Sequence, residues 1–216
     1  MRELVDGAVR AYVEGLSAAG DEILEQVYAR SKVDGVPALE PLTARFLHLL
    51  AGAMSARKIL EIGTGYGCSG IQLARAMPDG GQLFTFEQNP ARAAIARDHF
   101  AQAGVGDRVN VMVGDGSRML YKVAGPFDLI FQDGDKLRYQ PMLDRLVELL
   151  RPRGVLITDN VLWSGDPVPG FRAAPQHDQA TVDAIAGYNR RLASDARLDT
   201  TFLSIGDGVA LSVKKE

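Results

Sequence analysis

Three oxygen-bearing side chains, Asp133, Asp159 and Asn160, stand at the ends of two short apolar runs, FDLIF and GVLIT. Both runs contain β-branched or aromatic residues, the composition of strands covered on both faces, and both stop abruptly at carboxylate or amide groups. In an open α/β sheet, that strand edge is where ligands bind. Oxygen donors alone suit a hard cation, Mg²⁺ in the first place and Mn²⁺ or Ca²⁺ as alternatives. Zn²⁺ prefers nitrogen and sulfur. Lys136, three residues after Asp133, adds a base beside such a metal. Taken alone, a lysine after an acidic loop is more commonly a solvated surface residue.

A second constellation lies upstream. EIGTGYGCSG, Glu61 to Gly70, follows the run KILEI, and its glycines let backbone N–H groups approach a ligand at a helix N-terminus. Gly65, Gly67 and Gly70 satisfy G-x-G-x-x-G, which admits a dinucleotide site or simply a tight strand-to-helix turn. Glu61, just before the glycines, disfavours a pyrophosphate and tolerates the ammonium of an amino-acid-bearing ligand. Glu87, closing QLFTFE, is placed to accept from ribose hydroxyls, which NAD and S-adenosylmethionine both carry. Asp115-Gly116, closing VMVGDG, offers a carboxylate and a small residue beside an adenine, or merely a turn.

The elements that must position these residues alternate along the chain. Helical periodicity opens it: Leu4, Val5, Ala8, Tyr12, Val13 and Leu16, then Ile23, Leu24, Val27 and Tyr28 after a turn at Gly20-Asp21. From Lys58 onward, KILEI, QLFTFE, RVNVMV, FDLIF and GVLIT alternate with helices over 68–77, 90–103, 117–121 and 136–150, the pattern of a doubly wound parallel sheet. A Pro- and Gly-containing loop, SGDPVPGFRAAPQ, leads to a helix over 178–193. The tail LDTTFLSI-GDG-VALSVKK reads as an antiparallel hairpin.

Composition narrows the class. With 216 residues, 46% hydrophobic and 24% charged, the chain is expected to form one domain, residues 1–55 as a helical cover and 56–216 as the core. A net charge of -3, with no Lys or Arg run longer than Lys214-Lys215, disfavours nucleic acid as a partner. A single cysteine, Cys68, cannot form an internal disulfide, and the charged N-terminus lacks a signal-peptide core, so a reducing cytoplasm is expected. No apolar run reaches the roughly 18 to 20 residues of a membrane span.

The blocks KILEIGTGYGCSG, FTFEQN, VGDG, FDLIFQDGDK, LLRPRGVLITDNVLWSG and SIGDGVALSVKK, in that order, resemble the cation-dependent class I O-methyltransferases. That group contains catechol and caffeoyl-coenzyme A O-methyltransferases and small bacterial relatives. The resemblance spans nearly the whole chain. It implies a Rossmann-like methyltransferase sheet and a homodimer transferring methyl from S-adenosylmethionine to one hydroxyl of a vicinal aromatic diol. It also implies that Asp133, Asp159 and Asn160 hold the metal and that Lys136 is the catalytic lysine. Glu61, Gly63, Thr64, Ser69, Glu87, Asp115, Gly116 and Asp133 fall where the family holds the cofactor, with Gly65 in the same loop, and Leu39 matches a segment that closes over it. The chain departs from the family in reading Gly134, Gly116 and Arg153 where alanine, alanine and glycine are common.

On that resemblance, the cation stabilises the phenolate of a chelating catechol, which at a pKa near 10 is otherwise mostly protonated, and sets it in line with the methyl while Lys136 takes the proton. Trp163 and Tyr139 are candidates to stack on an aromatic substrate, with a core role as the alternative for Trp163. His48, His99 and His177 read as structural or surface residues. Cys68 reads as a filler, or as a thiol activated at a helix N-terminus. Asp135 is solvated or orients Lys136. Two other acceptor or cofactor classes compete: a hydroxylated nucleoside in RNA, and the nicotinamide of a dehydrogenase, which leaves the Asp133, Asp159, Asn160 cluster unexplained. A non-catalytic cofactor-binding module would be expected to have lost a ligand or Lys136.

Overall fold

A computed structural model describes residues 7–17 and 21–216, so the expectations on Leu4, Val5 and Gly20 lie outside the described residues. In chain order the elements are α1 (Gly7–Ser17), α2 (Glu22–Asp34), α3 (Pro41–Ala53), β1 (Lys58–Ile62), α4 (Cys68–Ala76), β2 (Gln82–Glu87), α5 (Pro90–Gln102), β3 (Val109–Val113), α6 (Gly116–Met119), β4 (Phe127–Gln132), α7 (Tyr139–Leu149), β5 (Leu150–Asp159), α8 (Gln179–Ser194), β6 (Leu198–Leu203) and β7 (Val209–Lys214). The strand order is β3-β2-β1-β4-β5-β7-β6, a mostly parallel α/β sheet closed by an antiparallel hairpin, as the alternation predicts. Among the described residues no helix is long and apolar enough to cross a membrane.

The chain divides into two compact units, Ser17–Ala124 and Gly125–Glu216, the latter also counting α1 up to Leu16. In the first unit, β1 pairs in parallel with β2 from Lys58↔Gln82 to Ile62↔Phe86, and β2 pairs in parallel with β3. The strands β1 and β2 are almost wholly buried, whereas β3 is largely part-exposed, as befits an edge. Their buried Ile, Leu and Phe side chains each contribute about 1.5–3 kcal/mol. Asp21 caps α2 by accepting from Leu24 N, and Gly35, with φ 64, ends it. The helix α3 begins at Pro41, whose missing N–H costs nothing in a first turn. The segment PALEPLTARFL, which the resemblance implies closes over the cofactor, thus runs into this helix.

In the second unit, β4 and β5 are parallel with Leu129↔Val155 and Gln132↔Thr158 in register, so Asp133 and Asp159 follow side by side at their C-terminal ends. The buried residues of α7, Tyr139, Met142, Leu143 and Leu146, recur at i, i+3, i+4 and i+7, the spacing of one helix face. The helix expected over 136–150 starts instead with a 3₁₀ turn at Lys136–Arg138, and Leu150 already belongs to β5. The antiparallel pair β5 and β7 includes Asp159↔Val209, which brings the β6–β7 turn next to the end of β5. On α1 the residues Val9, Tyr12, Val13 and Leu16, again at i, i+3, i+4 and i+7, are exposed.

Candidate active site

The glycine loop of the first unit is fixed by backbone bonds. Gly63 N and Thr64 N both donate to Phe86 O at 3.1 Å, tying the loop to the end of β2. Gly65 N donates to Glu87 Oε2 at 3.0 Å, and Asn89 N to Glu87 Oε1 at 2.9 Å. Each carboxylate oxygen therefore keeps a lone pair with which Glu87 could accept from ribose hydroxyls. Gly67 caps α4 at φ 94, and an added Cβ would lie 3.0 Å from Phe100 Cε1, so position 67 takes only glycine.

Glu61 lies wholly buried beneath this loop. Thr85 Oγ1 donates to Glu61 Oε2 at 2.6 Å, and since a hydroxyl has one proton, Thr64 Oγ1 is the donor in its own 2.6 Å bond to Thr85. Ser69 is buried in the first turn of α4, and Leu39 is buried just ahead of α3. Asp115 caps α6, accepting from Ser117 N at 2.8 Å and Ser117 Oγ at 2.5 Å. An alanine at Gly116 would bring its methyl 2.9 Å from Ile62 Cγ2, a steric reason for the glycine there. Burial raises the Cys68 thiol to about 12, with a hydrogen bond from Tyr28 only partly offsetting it. Cys68 is thus a filler, not an activated nucleophile.

The second unit gathers Asp133, Lys136, Asp159 and Asn160. Lys136 Nζ donates to Asp133 Oδ1 at 2.9 Å and lies 5.3 Å from the centre of the Trp163 ring. It is a partly buried, partnered lysine. Asp159 is pushed well above the ordinary carboxylate range, first by burial and then by Asp133, against a hydrogen bond from Asn160 N–H and the charge of Lys136. Its Oδ1 is buried with no hydrogen-bond partner among the described residues. A buried carboxylate with an unpartnered oxygen, facing another carboxylate, is what a hard cation would compensate. Among the described residues no group of three or more His, Cys, Asp or Glu is arranged for a metal, so a cation here would also take the Asn160 amide.

Beneath the cluster, Tyr139 is fully buried and donates to Asp159 O at 3.2 Å. That corrects its candidacy as a substrate stacker: it fills core and steadies the end of β5. Tyr188 donates to Gln132 Oε1 at 2.9 Å and shares a 2.8 Å bond with Thr158 Oγ1, linking β4 and β5 just before their ligands. Asp135 is exposed and accepts from Leu137 N at 3.0 Å, so it caps the 3₁₀ turn carrying Lys136. His48 and His99 bond backbone carbonyls at Gln72 and Tyr66, in keeping with structural roles.

Several residues of this region went unremarked in the sequence. The Asp166 side chain is fully buried and accepts from Gln176 N, His177 N and the His177 ring. Desolvation pushes its carboxyl up, but those hydrogen bonds outweigh it and hold it below the ordinary range. His177, read as structural or surface, stacks 4.7 Å from Trp163, in keeping with the structural role. The Asp207 side chain, in the GDG turn, accepts from Ser164 N. Burial pushes its carboxyl up. A turn aspartate carries no local signal of such contacts; only the pairing of β7 with β5 creates them.

A family model described as O-methyltransferase matches residues 16–215. A catechol O-methyltransferase of Mycobacterium tuberculosis (strain H37Rv) is 39% identical over 213 residues, 95% of this chain and 94% of that protein. One of Niastella koreensis is 32% identical over 226 residues, all of both chains. The crystal structure of an O-methyltransferase from Bacillus cereus in complex with SAH has a TM-score of 0.86 and 32% identity, covering 96% of this chain and 97% of that one. With its glycine loop, its strand-end acids and these likenesses, the chain belongs to the O-methyltransferase family.

Proposed function

We propose that this O-methyltransferase transfers methyl from S-adenosylmethionine to one hydroxyl of a vicinal dihydroxy aromatic small molecule. A divalent cation, Mg²⁺ in the first place, would be held by Asp133, Asp159 and Asn160. The carrying observation is the buried, unpartnered Asp159 Oδ1 in a cluster of oxygen donors beside Lys136. Relatives named catechol O-methyltransferase and a neighbour solved with SAH support the acceptor class and the donor. Family membership sets aside the dehydrogenase, and the net charge of -3 weighs against an RNA nucleoside.

When bound, the cation would supply Lewis acidity to a chelating pair of phenolic oxygens, and the sulfonium the methyl. As the neutral amine Lys136 takes the acceptor proton and becomes the ammonium that donates to Asp133, with Trp163 roofing its Nζ. In the first unit Glu87 accepts from ribose hydroxyls, the Gly63–Gly65 backbone borders the donor, and Thr64, Ser69, Asp115, Gly116 and Leu39 complete its lining.

A screen of catechols such as caffeate and its esters, with S-adenosylmethionine and Mg²⁺ or chelator and mass detection of product, tests the reading. Methylation lost on chelation and restored by Mg²⁺ is expected. Turnover indifferent to chelator would sink the metal, and inertness towards every catechol would sink the acceptor class. We also propose a homodimer, supported by the exposed Val9, Tyr12, Val13, Leu16 stripe; light scattering that gives a monomer mass would refute it.

A further inference from the structure

We propose that His177, anchored by Asp166, is a positioning residue that holds the Trp163 ring still as one wall of the acceptor site. The inference rests on Lys136 being the group that takes the acceptor proton, as proposed above.

Trp163 and the residue after it both adopt left-handed backbone, with φ 40 at Trp163 and φ 57 at Ser164. Non-glycine residues keep such angles only where their surroundings over-determine them. Here the backbone is held on several sides. Trp163 N donates to Asp207 O at 3.3 Å and Ser164 N to the Asp207 carboxylate, while Arg172 Nη2 donates to Ser164 O at 2.7 Å. These bonds fix where the indole begins, but a side chain on a fixed backbone still has its χ angles to turn.

The end of the same loop supplies the second hold. One oxygen of the buried Asp166 carboxylate, Oδ2, accepts from Gln176 N at 2.8 Å, His177 N at 3.0 Å and His177 Nδ1 at 2.8 Å. Arg172 Nε lies 3.5 Å from the other oxygen. A carboxylate only accepts, so Nδ1 carries the proton, and the backbone and ring bonds together leave the imidazole one orientation. In that orientation it packs on Trp163 with ring centres 4.7 Å apart and planes tilted by 41°. Lys136 Nζ lies over the same indole, 5.3 Å from its centre. Asp166, His177 and Trp163 thus make a chain of fixed contacts that ends beside Lys136. A restrained indole there suits a planar aromatic acceptor, because a wall that is already still need not be ordered when the acceptor binds.

Trp163 is the only tryptophan in the chain, so its fluorescence reads this ring directly. In full-length protein without metal, donor or acceptor, the anisotropy decay of the indole should follow whole-protein tumbling alone. His177→Ala should add a subnanosecond component, the motion of an unrestrained side chain, with the melting temperature lowered by no more than about 4 °C. Assayed with caffeate, S-adenosylmethionine and Mg²⁺, the same variant should raise the KM for caffeate about three- to tenfold, the worth of one aromatic contact. Its kcat and its KM for S-adenosylmethionine should stay within about twofold. Asp166→Ala should reproduce both effects, and a folded Asp166→Ala with a still indole overturns the anchoring; if that variant fails to fold, His177→Ala decides alone. Indole motion unchanged in His177→Ala overturns the inference, and so does added motion with an unchanged caffeate KM. A joint rise of both KM values with a larger fall in melting temperature overturns it too, since His177 would then merely hold the loop together. If the unaltered protein methylates neither caffeate nor another catechol, the acceptor reading has failed, and the anisotropy alone decides whether His177 holds the ring.

Discussion

Lys136 Nζ and Asp133 Oδ1 are 2.9 Å apart, with only 13% of the lysine side chain and 25% of the aspartate side chain exposed. The contact holds the ammonium at the mouth of β4 and β5 instead of leaving it to wander in solvent. Lys136→Met should therefore lower kcat by about 10²–10⁴-fold, the range of a lost general base, while leaving the KM for the methyl donor nearly unchanged. Steady-state kinetics with both substrates varied would check this. An equal rise in the donor KM would count against it.

Asp159 illustrates a site held at a cost to stability. Its carboxyl is desolvated and faces Asp133, so without metal it opposes folding. Asp159→Asn should raise the melting temperature of the metal-free protein by about 2–4 °C, corresponding to about 1 kcal/mol for a chain of this size. The same variant should lose Mg²⁺-dependent turnover. Calorimetry of chelated samples decides the first half, and a drop in melting temperature would contradict it.

The two backbone N–H bonds to Glu87 leave its carboxylate aimed and half satisfied. Glu87→Ala should weaken S-adenosylmethionine binding by about 10–100-fold, the loss expected for hydrogen bonds to a charged group. Chelator-treated protein should show the same loss, because the residue has no part in holding the cation. Equilibrium titration with and without Mg²⁺ tests both statements.

Asp195 is nearly buried, with 4% of its side chain exposed, and is paired to Arg197 at 2.6 Å. Arg197 holds its carboxyl down to about 2. A folded-state pKa below the unfolded value of about 3.9 means the contribution is complete above pH 4 and lost as pH falls towards 2. Asp195→Asn should therefore lose about 1–2 kcal/mol at neutral pH, less than the full linkage value because the Arg197 end is exposed, and converge with the unaltered protein near pH 2. Urea melts across that range would show it.

The strands and the residues at their ends were legible because apolar runs and abrupt acids are local signals. FDLIF and GVLIT are buried as expected, and the acids after them fall together because the register pairs Gln132 with Thr158. What stayed hidden is what packing decides. Tyr139 had the composition of a stacking residue, yet the turn at Lys136–Arg138 rotates it under the sheet end. Asp207 and Asp166 look like ordinary turn and loop acids, and their importance arises from partners 43 and 11 residues away along the chain. The helix within PALEPLTARFL is not legible in the sequence, since a proline at a helix start reads equally well as a loop.

The grip of residues 207 and 208 on the N–H groups of 161–163 is made wholly by main-chain carbonyls. Such bonds are indifferent to side-chain identity, so Leu162 and Trp163 can be exchanged without unhooking the segment that carries them. The stretch between Val161 and Asp178 is thus a cassette with a fixed point of attachment. Retargeting the enzyme to new acceptors should proceed by grafting residues there, with the β6–β7 turn kept as the socket.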